Sequence, residues 1–375
     1  MLIKKLFITV LLISFLCFPV DSLQQEQLSA RSAVVIDCET NSVIFQKNMS
    51  ENLSMASTTK IMTAIIAIES GKLNCTVVAE RDVVCDGTSI GIKKGDSFTL
   101  KTLVWAMLLE SGNDAAVLVS EYLSGSESEF SVMMNKKASE IGMSDTNFVT
   151  ASGLDDAEHY TTAYDMALLA SYAVKNPIFR EICSSEYYTA NYVSPDITET
   201  YTNHNKLLKM YEGVFGVKTG FTKKSGRCLV SACEKNGTTL IAVTLKAPDD
   251  WNDHIKLYDY CFSLSEKIYK DIQIPQKIKV YGSDGKWISI DCGDVTSDSL
   301  YDSSVTYTVL LPQFIYAPVN EGDEVGKICL YIDGEKYKEV PIVACSNAVA
   351  PEGKSEPEYT LFYKFTNFFR FIMKG

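Results

Sequence analysis

The chain has 375 residues, of which 46% are hydrophobic and 22% are charged, and its formal net charge at pH 7 is −12. A chain of this length and composition can bury a large core and is expected to form two domains. Its acidic balance argues against nucleic acid as a partner.

The N-terminus has the pattern of a secretory signal peptide over residues 1–22. Lys4 and Lys5 precede an apolar run that ends at Val20, and Val20 and Ser22 offer the small residues expected before a cleavage site. Cleavage would leave an exported mature chain with a net charge of about −13. An uncleaved membrane anchor is the alternative, although the run is short for a permanent transmembrane helix.

Ten of the eleven cysteines follow the predicted cleavage site. None of them forms a C-x-x-C pair or a cluster with histidine at ligand spacing, which argues against a structural zinc site, and no cofactor is predicted. An even number of cysteines in an exported chain permits disulfides. The cysteines nevertheless lie scattered in apolar stretches, as at Cys38 and Cys85, so we expect them to be mostly buried thiols.

The mature chain begins with strand patterns, continues with helical patterns and then returns to strands. Apolar runs bounded by turn residues predict strands over residues 33–37, 42–45, 227–232 and 239–245. Apolar residues at three- and four-residue spacing predict helices over residues 100–109, 114–123, 127–141, 162–174 and 253–266. The simplest assembly is one antiparallel sheet in which the first and last strands are neighbours, with a helical subdomain inserted between them.

The stretch from Ala56 to Ala64 places a hydroxyl three residues ahead of an amine at the start of an apolar run. On a helix, positions i and i+3 share one face, so Ser57 Oγ and Lys60 Nζ can meet within hydrogen-bond distance. A lysine can take the proton of a serine only if its amine is neutral, and burial and a second nearby cation both lower the pKa of an amine. The hypothesis therefore requires a pocket and another lysine. An N-capping serine with a solvated lysine is the alternative.

A second motif precedes the helix predicted over 114–123. Ser111 and Asn113 stand in a turn at its start, so their hydroxyl and amide groups can point into a shared cleft. Asp114 would cap the helix. Ordinary capping chemistry explains the same residues equally well and remains open.

A third motif, Lys218-Thr219-Gly220, ends a β-branched and apolar run. The glycine allows another group to approach the strand backbone closely. A strand edge at this position can bind a peptide by adding it as a further strand, with Lys218 and Thr219 meeting a carboxylate. The alternative is an edge-strand lysine followed by a turn glycine.

Taken together, the three motifs carry a resemblance to a known family. S-x-x-K, S-x-N and K-T-G occur in the order found in the penicillin-recognising serine acyltransferases. From about Ala33 to the C-terminus the chain resembles a serine-type D-alanyl-D-alanine carboxypeptidase, a low-molecular-mass penicillin-binding protein, and residues 159–166 and 247–253 add to the resemblance. The resemblance implies an α+β fold, with a β-lactamase/transpeptidase-like antiparallel sheet, an inserted helical subdomain and no cofactor.

The resemblance also implies the roles of the catalytic residues. Ser57 would attack the carbonyl carbon of the penultimate D-alanine in a peptidoglycan stem peptide that ends in D-Ala-D-Ala, with Lys60 as its general base. Ser111 would relay protons toward the leaving group. The backbone N–H groups of Ser57 and Phe221 match the oxyanion hole of the family. Water would then hydrolyse the acyl-enzyme.

Four residues are implied in substrate binding. Asn113 would hold the amide of the substrate, and Lys218 and Thr219 would bind its terminal carboxylate, with Gly220 completing the motif beside them. A β-lactam antibiotic resembles the D-Ala-D-Ala terminus. We therefore expect β-lactams to acylate Ser57 and the resulting acyl-enzyme to be hydrolysed slowly.

Several other functions remain open from the sequence. A DD-endopeptidase or a β-lactamase would use the same motifs, and Asp155 or Asp156 would then be candidates for a deacylating base, although a solvated turn explains both residues. A non-catalytic penicillin-binding wall scaffold is a further alternative, but it has no chemical need for the three motifs together. Ser89 lies in a G-x-S-x-G pattern, but a turn rather than a helix is predicted to follow it, which argues against an α/β-hydrolase.

The composition changes near residue 271, after a predicted catalytic domain over 23–270. Strand patterns between turn residues follow at 277–281, 287–290, 305–311, 328–332 and 340–343. They predict a C-terminal β-rich domain over 271–349. The resemblance assigns this domain a role as a stalk or partner-binding platform.

Residues 350–375 combine a polar linker with a predicted amphipathic helix from Tyr359 onward. On a helical wheel one side carries Lys364, Asn367, Arg370 and Lys374, with Phe371 as an apolar exception among them. The apolar arc contains Leu361, Phe362, Phe365, Phe368, Phe369, Ile372 and Met373. We expect this tail to lie in a membrane interface, because three cations argue against a spanning helix, and the resemblance implies attachment to the outer face of the cytoplasmic membrane. Docking of the helix on the β-rich domain is the alternative.

Overall fold

The computed structural model of the chain contains two compact units, which are described separately. The described residues are 23, 25–235, 237–271, 274–283, 287–292, 305–332 and 335–349. The first unit contains the residues up to Glu234 and the segment Leu240–Cys261. The second unit contains Lys235–Thr239 and the residues from Phe262 onward.

The secondary structure of the first unit runs from strands through helices back to strands. The strands are β1 (Ser32–Asp37), β2 (Val43–Lys47), β3 (Thr76–Val78), β4 (Ser97–Thr99), β5 (Tyr187–Asn191), β6 (Thr198–Thr202), β7 (Val214–Thr222), β8 (Gly226–Lys235) and β9 (Thr238–Leu245). The helices are α1 (Lys60–Glu69), α2 (Leu100–Leu109), α3 (Asn113–Ser124), α4 (Glu127–Ile141), α5 (Ala163–Val174), α6 (Pro177–Ser184), α7 (Leu207–Met210) and α8 (Asp250–Asp271). A 3-10 turn at Ala56–Thr59 precedes α1.

The central sheet of this unit has five strands in the order β2-β1-β9-β8-β7. β1 and β9 pair antiparallel from Ser32 opposite Leu245 to Asp37 opposite Leu240, which confirms the prediction that the first and last strands are neighbours. Every residue of β1 is buried. β7 lies at one edge of the sheet, and β2 lies at the other.

The helices between the first and last strands pack around the buried apolar helix α1, and α2, α4, α5 and α6 begin at side-chain caps. Nine of the ten residues of α1 are buried. Thr99 caps α2 and Ser126 caps α4, each accepting a hydrogen bond from a backbone N–H at 3.1 Å. The helices predicted over 100–109 and 127–141 are confirmed at both ends. Helical spacing and a capping residue both depend on residues that are close together in the chain. The bounds predicted from spacing therefore match the observed ones.

Other elements were not predicted from the sequence pattern. They are the short pairs β3–β4 and β5–β6 and the helices α6 and α7. In the β5–β6 pair only Ala190 and Tyr201 are buried. Strands that expose most of their side chains lack the apolar alternation on which strand prediction depends.

Most of the cysteines in the described residues are buried, as apolar side chains are. Buried thiols are Cys38, Cys183, Cys228, Cys233, Cys261 and Cys329, whereas Cys75 and Cys345 are exposed. Burial raises the pKa of Cys183 to about 12 and that of Cys228 to about 11, so both stay protonated. The expectation of mostly buried thiols is confirmed for these residues.

The second unit is all β among its described residues beyond α8. Its strands are β10 (Lys277–Tyr281), β11 (Trp287–Asp291), β12 (Val305–Leu310), β13 (Phe314–Tyr316), β14 (Glu324–Ile332) and β15 (Glu335–Ala344). They form one sheet in the order β12-β14-β15-β11-β10-β13, in which β10 and β13 run parallel. Alternate residues such as Ile278, Ile288 and Ile342 are buried on one face, where they form a separate hydrophobic core.

The predicted signal peptide over 1–22 and the predicted tail over 350–375 lie outside the described residues. Within the part of the chain that the structure describes, no helix is long and apolar enough to cross a membrane.

One buried histidine in the first unit makes the stability of its fold depend on pH. His254, on α8, is fully buried, with Nδ1 2.7 Å from the Ser231 hydroxyl and Nε2 3.0 Å from the Thr244 hydroxyl. Burial lowers the pKa of His254 to about 3. An unfolded chain would bind a proton there below about pH 6.5, so the folded state is fully stabilised above that pH and loses stability as the pH falls toward 3.

We expect the free energy of unfolding to drop by roughly 2 kcal/mol or more between pH 7 and pH 5, measured by urea denaturation. His254→Asn should lower stability at pH 7 through lost hydrogen bonds but shrink this pH-dependent drop. The exposed Ser139→Ala variant, which removes no titratable group, is the control and should leave the drop intact. A His254→Asn variant with the full wild-type drop would contradict this account.

Candidate active site

The predicted nucleophile lies in the 3-10 turn Ala56–Thr59, immediately before α1. The expectation that Ser57 and Lys60 share the face of an α-helix is corrected, because the helix begins only at Lys60. In a 3-10 turn, residues i and i+3 are eclipsed rather than offset. Ser57 Oγ and Lys60 Nζ consequently lie 2.9 Å apart.

The Lys60 amine is fully buried among three oxygen atoms. Its Nζ lies 2.9 Å from Ser57 Oγ, 2.7 Å from Asn113 Oδ1 and 2.6 Å from the backbone carbonyl oxygen of Ser152. Burial, followed by the positive charge of Lys218, holds the pKa of Lys60 well below its ordinary value. The pocket and the second lysine that the sequence hypothesis required are both present.

The chemistry of these three contacts assigns a direction to each hydrogen bond. The Asn113 and Ser152 oxygens can only accept, whereas the Ser57 hydroxyl can also donate. A neutral amine has two N–H groups and one lone pair. With the two N–H groups donated to the carbonyl-type oxygens, the lone pair of Lys60 faces the proton of Ser57, which is the arrangement a general base needs.

The K-T-G motif lies on β7, at the edge of the sheet. Lys218 is 2% exposed, and its Nζ donates to the Thr219 carbonyl oxygen at 3.0 Å. Burial lowers the pKa of Lys218 to about 7, and the carboxylate of Glu110 opposes this shift. Lys218 is thus poised near neutrality, where an incoming carboxylate would favour its charged form.

Gly220 lets β7 approach the nucleophile turn. A Cβ atom at this position would lie 3.1 Å from the backbone nitrogen of Ser57 and equally close to Ala56 Cβ and the Met55 carbonyl oxygen. Only glycine avoids that crowding. Phe221 follows it on the strand with 64% of its surface exposed, at the position predicted to supply the second oxyanion-hole N–H.

Ser111 and Asn113 stand where α2 gives way to α3. Ser111 is buried and has a positive φ of 64°. Asn113 is the first residue of α3, and its Nδ2 donates to the Asp86 carbonyl oxygen at 2.6 Å while its Oδ1 faces Lys60. The amide group is therefore held at both ends, with one N–H left for a ligand.

The predicted capping role of Asp114 is wrong. The N-cap of α3 is Gly112, and Asp114 instead accepts hydrogen bonds from the backbone N–H groups of residues 90–92 at 2.8–3.0 Å. It also accepts the Ser89 hydroxyl at 2.6 Å. This buried carboxylate anchors the loop beside the site. The hydroxyl of the G-x-S-x-G pattern is thereby committed to a structural contact.

The predicted site residues Ser57, Ser111, Thr219, Gly220 and Phe221 line one cleft of about 290 Å³. Residues that the sequence analysis missed complete its walls. They are Thr88, His204, Lys206, Arg227, Asp250 and Trp251. Cationic side chains are prominent among them, which suits a ligand with a carboxylate.

A histidine–carboxylate contact and an ion pair stand in the walls of this cleft. His204 Nε2 lies 3.3 Å from Glu110 Oε2. Arg227 Nη2 lies 2.8 Å from the buried carboxylate of Asp250, and the guanidinium also stands over the Trp251 ring, 5.3 Å from its centroid. Arg227 and Asp250 adjoin or belong to stretches that carried the family resemblance, so they could have been found from sequence. The Ser152 carbonyl could not, because a backbone atom has no residue signature.

The loop over residues 152–156 contacts the end of β7. Asp155 Oδ1 accepts hydrogen bonds from the hydroxyl of Thr222 at 2.9 Å and from that of Ser225 at 3.3 Å. The Asp156 carbonyl oxygen accepts from Lys224 Nζ at 3.1 Å. Asp155 is thus held by β7 and the turn after it.

Comparisons with known proteins agree with this geometry. Residues 20–249 match the family described as D-alanyl-D-alanine carboxypeptidase, and residues 265–350 match the C-terminal domain of penicillin-binding protein 5. D-alanyl-D-alanine carboxypeptidase DacF of Bacillus subtilis is 34% identical over 332 residues, which cover 84% of this chain and 85% of that protein.

Solved structures are similar to the first unit. The Streptomyces K15 DD-transpeptidase is 28% identical, with a TM-score of 0.59, and the match covers 63% of this chain and 98% of that one. Penicillin-binding protein D2 of Listeria monocytogenes, in an ampicillin-bound form, is 31% identical, with a TM-score of 0.56 and coverages of 63% and 98%.

These matches confirm the predicted transpeptidase-like α+β fold followed by an all-β domain. The amphipathic helix that was predicted beyond it lies outside the described residues. The family match spans more than half of the chain, and the relative from Bacillus subtilis matches across both domains. The chain belongs to the family of serine-type D-alanyl-D-alanine carboxypeptidases.

Proposed function

We propose that this protein removes the terminal D-alanine from peptidoglycan stem peptides through an acyl-enzyme on Ser57. The observation that carries the proposal is the buried Lys60 amine, whose pKa is held well below its ordinary value and whose Nζ lies 2.9 Å from Ser57 Oγ. Removing a lysine amine from water costs free energy, so a fully buried lysine indicates a chemical task that offsets this cost. The carboxypeptidase names of the relatives support the choice of substrate.

Acylation would begin with attack by Ser57 Oγ on the carbonyl carbon of the penultimate D-alanine. The hydroxyl proton passes to Lys60 Nζ, and the carbonyl electrons move onto the oxygen, which the backbone N–H groups of Ser57 and Phe221 stabilise. Collapse of this intermediate breaks the peptide bond. The leaving amine takes a proton that Ser111 relays, and free D-alanine departs. Lys60 ends this half-reaction neutral again.

Deacylation would repeat the sequence with water in place of Ser57 Oγ as the nucleophile. Lys60 again removes the proton, the acyl bond to Ser57 breaks, and the shortened peptide leaves. Protonated Lys218 and the Thr219 hydroxyl would bind the terminal carboxylate of the substrate, while the remaining N–H of Asn113 holds its amide. β-Lactams, which mimic this terminus, would form a long-lived adduct on Ser57.

The β-lactamase alternative is disfavoured by the loop over 152–156. A deacylating carboxylate must be able to take a proton from water, whereas Asp155 accepts hydrogen bonds from Thr222 and Ser225. A DD-endopeptidase would use the same nucleophile on a cross-linked peptide. A non-catalytic penicillin-binding scaffold would have no need of the Lys60 geometry.

The proposal includes the location of the enzyme. The signal-peptide pattern over 1–22 supports export, and the amphipathic pattern from Tyr359 to Gly375 supports attachment to the outer face of the cytoplasmic membrane. At this location the protein would meet newly made stem peptides. Trimming the terminal D-alanine would then limit their cross-linking.

Replacing the nucleophile tests the mechanism. Benzylpenicillin should add one penicilloyl group to the wild-type protein at Ser57, detected by intact-protein and peptide mass spectrometry. Ser57→Ala should abolish both this adduct and the release of D-alanine from a pentapeptide ending in D-Ala-D-Ala. Lys60→Met should slow acylation by about 10²–10⁴-fold, the usual contribution of a general base. The remote, exposed Ser139→Ala variant is the control for both measurements.

The other outcomes of this experiment identify the alternatives. Rapid turnover of penicillin would indicate a β-lactamase, and release of product only from cross-linked peptides would indicate an endopeptidase. Transfer of the acyl group to an added amine in preference to water would indicate a transpeptidase. An adduct without any turnover would favour a non-catalytic penicillin-binding scaffold. The absence of an adduct on the wild-type chain would refute the acyl-serine mechanism.

The buried Lys218 should set the alkaline side of the pH profile. Burial lowers its pKa to about 7 in the free protein, and only the protonated form attracts the substrate carboxylate. The value of kcat/KM for D-alanine release should therefore fall as the pH rises through about 7. Lys218→Arg, which stays charged, should lose this decline while being slower at pH 7 because its side chain is bulkier. An identical decline in Lys218→Arg would assign it to another group.

The tail should govern membrane attachment. The full mature chain should float with vesicles that contain phosphatidylglycerol, and Phe365→Ser with Phe368→Ser should weaken binding at least about tenfold, because both remove apolar area from one helical arc. Asn367→Ser, on the polar side of the wheel, is the matched control. Equal binding by the phenylalanine variants would refute the interfacial helix.

A further inference from the structure

A buried histidine stands directly beneath the nucleophile turn, and the mechanism above gives it no task. His159 is 2% exposed. Its Nε2 lies 2.8 Å from Thr59 Oγ1, and its Nδ1 lies 2.9 Å from the backbone nitrogen of Val149 and 3.3 Å from that of Thr150. The imidazole thus connects the turn that contains Ser57 with the start of the loop that supplies the Ser152 carbonyl to Lys60.

The direction of every hydrogen bond in this chain of contacts can be assigned. The backbone N–H group of Val149 can only donate, so Nδ1 accepts and the proton of the neutral ring is on Nε2. Burial lowers the pKa of His159 to about 4, so the ring is neutral at pH 7. Nε2 consequently donates to Thr59 Oγ1. The Thr59 hydroxyl then donates its own proton to the Ala56 carbonyl oxygen, at 2.9 Å.

The Ala56 carbonyl belongs to the same peptide bond as the Ser57 N–H. A peptide bond is planar and trans, so holding the carbonyl on one side fixes the N–H on the opposite side. Ala56 has a positive φ of 49°, which is strained for a residue with a Cβ and persists only where surrounding contacts hold it. The contact with Thr59 is one such restraint.

The remaining surroundings of this peptide are consistent with a fixed orientation. On one side, a Cβ at Gly153 would lie 1.9 Å from the Ala56 carbonyl oxygen, so the loop packs directly against it. On the other side, the Ser57 nitrogen faces Gly220 of β7, where a Cβ would lie 3.1 Å away. The carbonyl therefore points toward the Thr59 and Gly153 side, and the N–H points toward the strand that borders the cleft.

We propose that His159 is a positioning residue for the oxyanion hole: through the Thr59 hydroxyl it holds the Ala56–Ser57 peptide in the orientation that directs the Ser57 N–H into the cleft. This inference rests on the proposed acyl-enzyme mechanism at Ser57. His159 touches neither the nucleophile nor the base. Its effect reaches the reaction only through the peptide plane.

Two substitutions of His159 test the hydrogen bonds at its Nδ1 and Nε2 positions separately. Asparagine can place an oxygen near the Nδ1 position and keep the contact with Val149, but it is too short to reach Thr59. Glutamine can place an N–H group near the Nε2 position and donate to Thr59, but it gives up the acceptor for Val149. The pair His159→Asn and His159→Gln therefore distinguishes positioning of the peptide from anchoring of the loop.

The experiment measures the acylation rate and the non-covalent dissociation constant for benzylpenicillin, together with the melting temperature, in the full mature chain. Loss of one oxyanion donor typically costs about 10²–10³-fold, so we expect His159→Asn to slow acylation by about 10–100-fold with little change in the dissociation constant. His159→Gln should retain most of the rate even if it melts at a lower temperature. A boronic acid analogue of the substrate, which forms a tetrahedral adduct, should lose affinity in parallel with the acylation rate.

A second matched pair covers the case in which a histidine variant does not fold. Thr59→Val removes the relaying hydroxyl and should slow acylation like His159→Asn, whereas Thr59→Ser keeps the hydroxyl and should retain the rate. Because both residues act through one peptide, the Thr59→Val, His159→Asn double variant should be no slower than the slower single variant.

Three results would overturn the inference. His159→Asn and Thr59→Val could acylate at the wild-type rate, the double variant could lose the product of the two single effects, or the rates of all variants could simply follow their melting temperatures. In these cases the wild-type adduct on Ser57 would still stand. Failure of the wild-type chain to form any adduct would instead overturn the proposed function and this inference with it.

Discussion

The active site depends on a Lys60 amine that is kept out of water and whose pKa is held well below its ordinary value. Desolvation is the main cause, and the nearby charge of Lys218 adds to it. A buried amine must have its N–H groups satisfied, and the oxygens of Asn113 and Ser152 do this. In the neutral amine the lone pair would then be left for Ser57, as the proposed role of Lys60 as general base requires.

Three separate parts of the fold meet at this amine. The 3-10 turn before α1 supplies the nucleophile, the start of α3 supplies an amide, and the loop before α5 supplies a backbone carbonyl. β7 closes the arrangement, because Gly220 allows the strand to approach the turn within van der Waals contact. The site therefore exists only when the sheet edge and the helical subdomain are packed together. This explains why so much of the first unit is buried around α1.

The two lysines also connect substrate binding with activation of the nucleophile. The positive charge of Lys218 lowers the pKa of Lys60 in the free protein. A carboxylate that binds Lys218 would offset this charge and make the amine of Lys60 a stronger proton acceptor when substrate is present. The same carboxylate would hold Lys218 in its protonated form. In the proposed mechanism, one buried ion pair with the substrate would then serve both recognition and chemistry.

The sequence by itself determined the elements that depend on local spacing. Apolar residues at helical spacing placed α2 and α4 at their observed bounds, and the order of the three motifs singled out Ser57, Lys60, Ser111, Asn113 and Lys218 as candidate site residues. Only the tertiary structure decided the contacts made by groups without a sequence signature. The Ser152 carbonyl at Lys60, the backbone N–H groups held by Asp114 and the contact from His159 through Thr59 to Ala56 all join residues far apart in the chain. Hydrogen bonds to the backbone can be made by any residue type, so residue identity does not reveal them, and their partners are set only when the chain has packed.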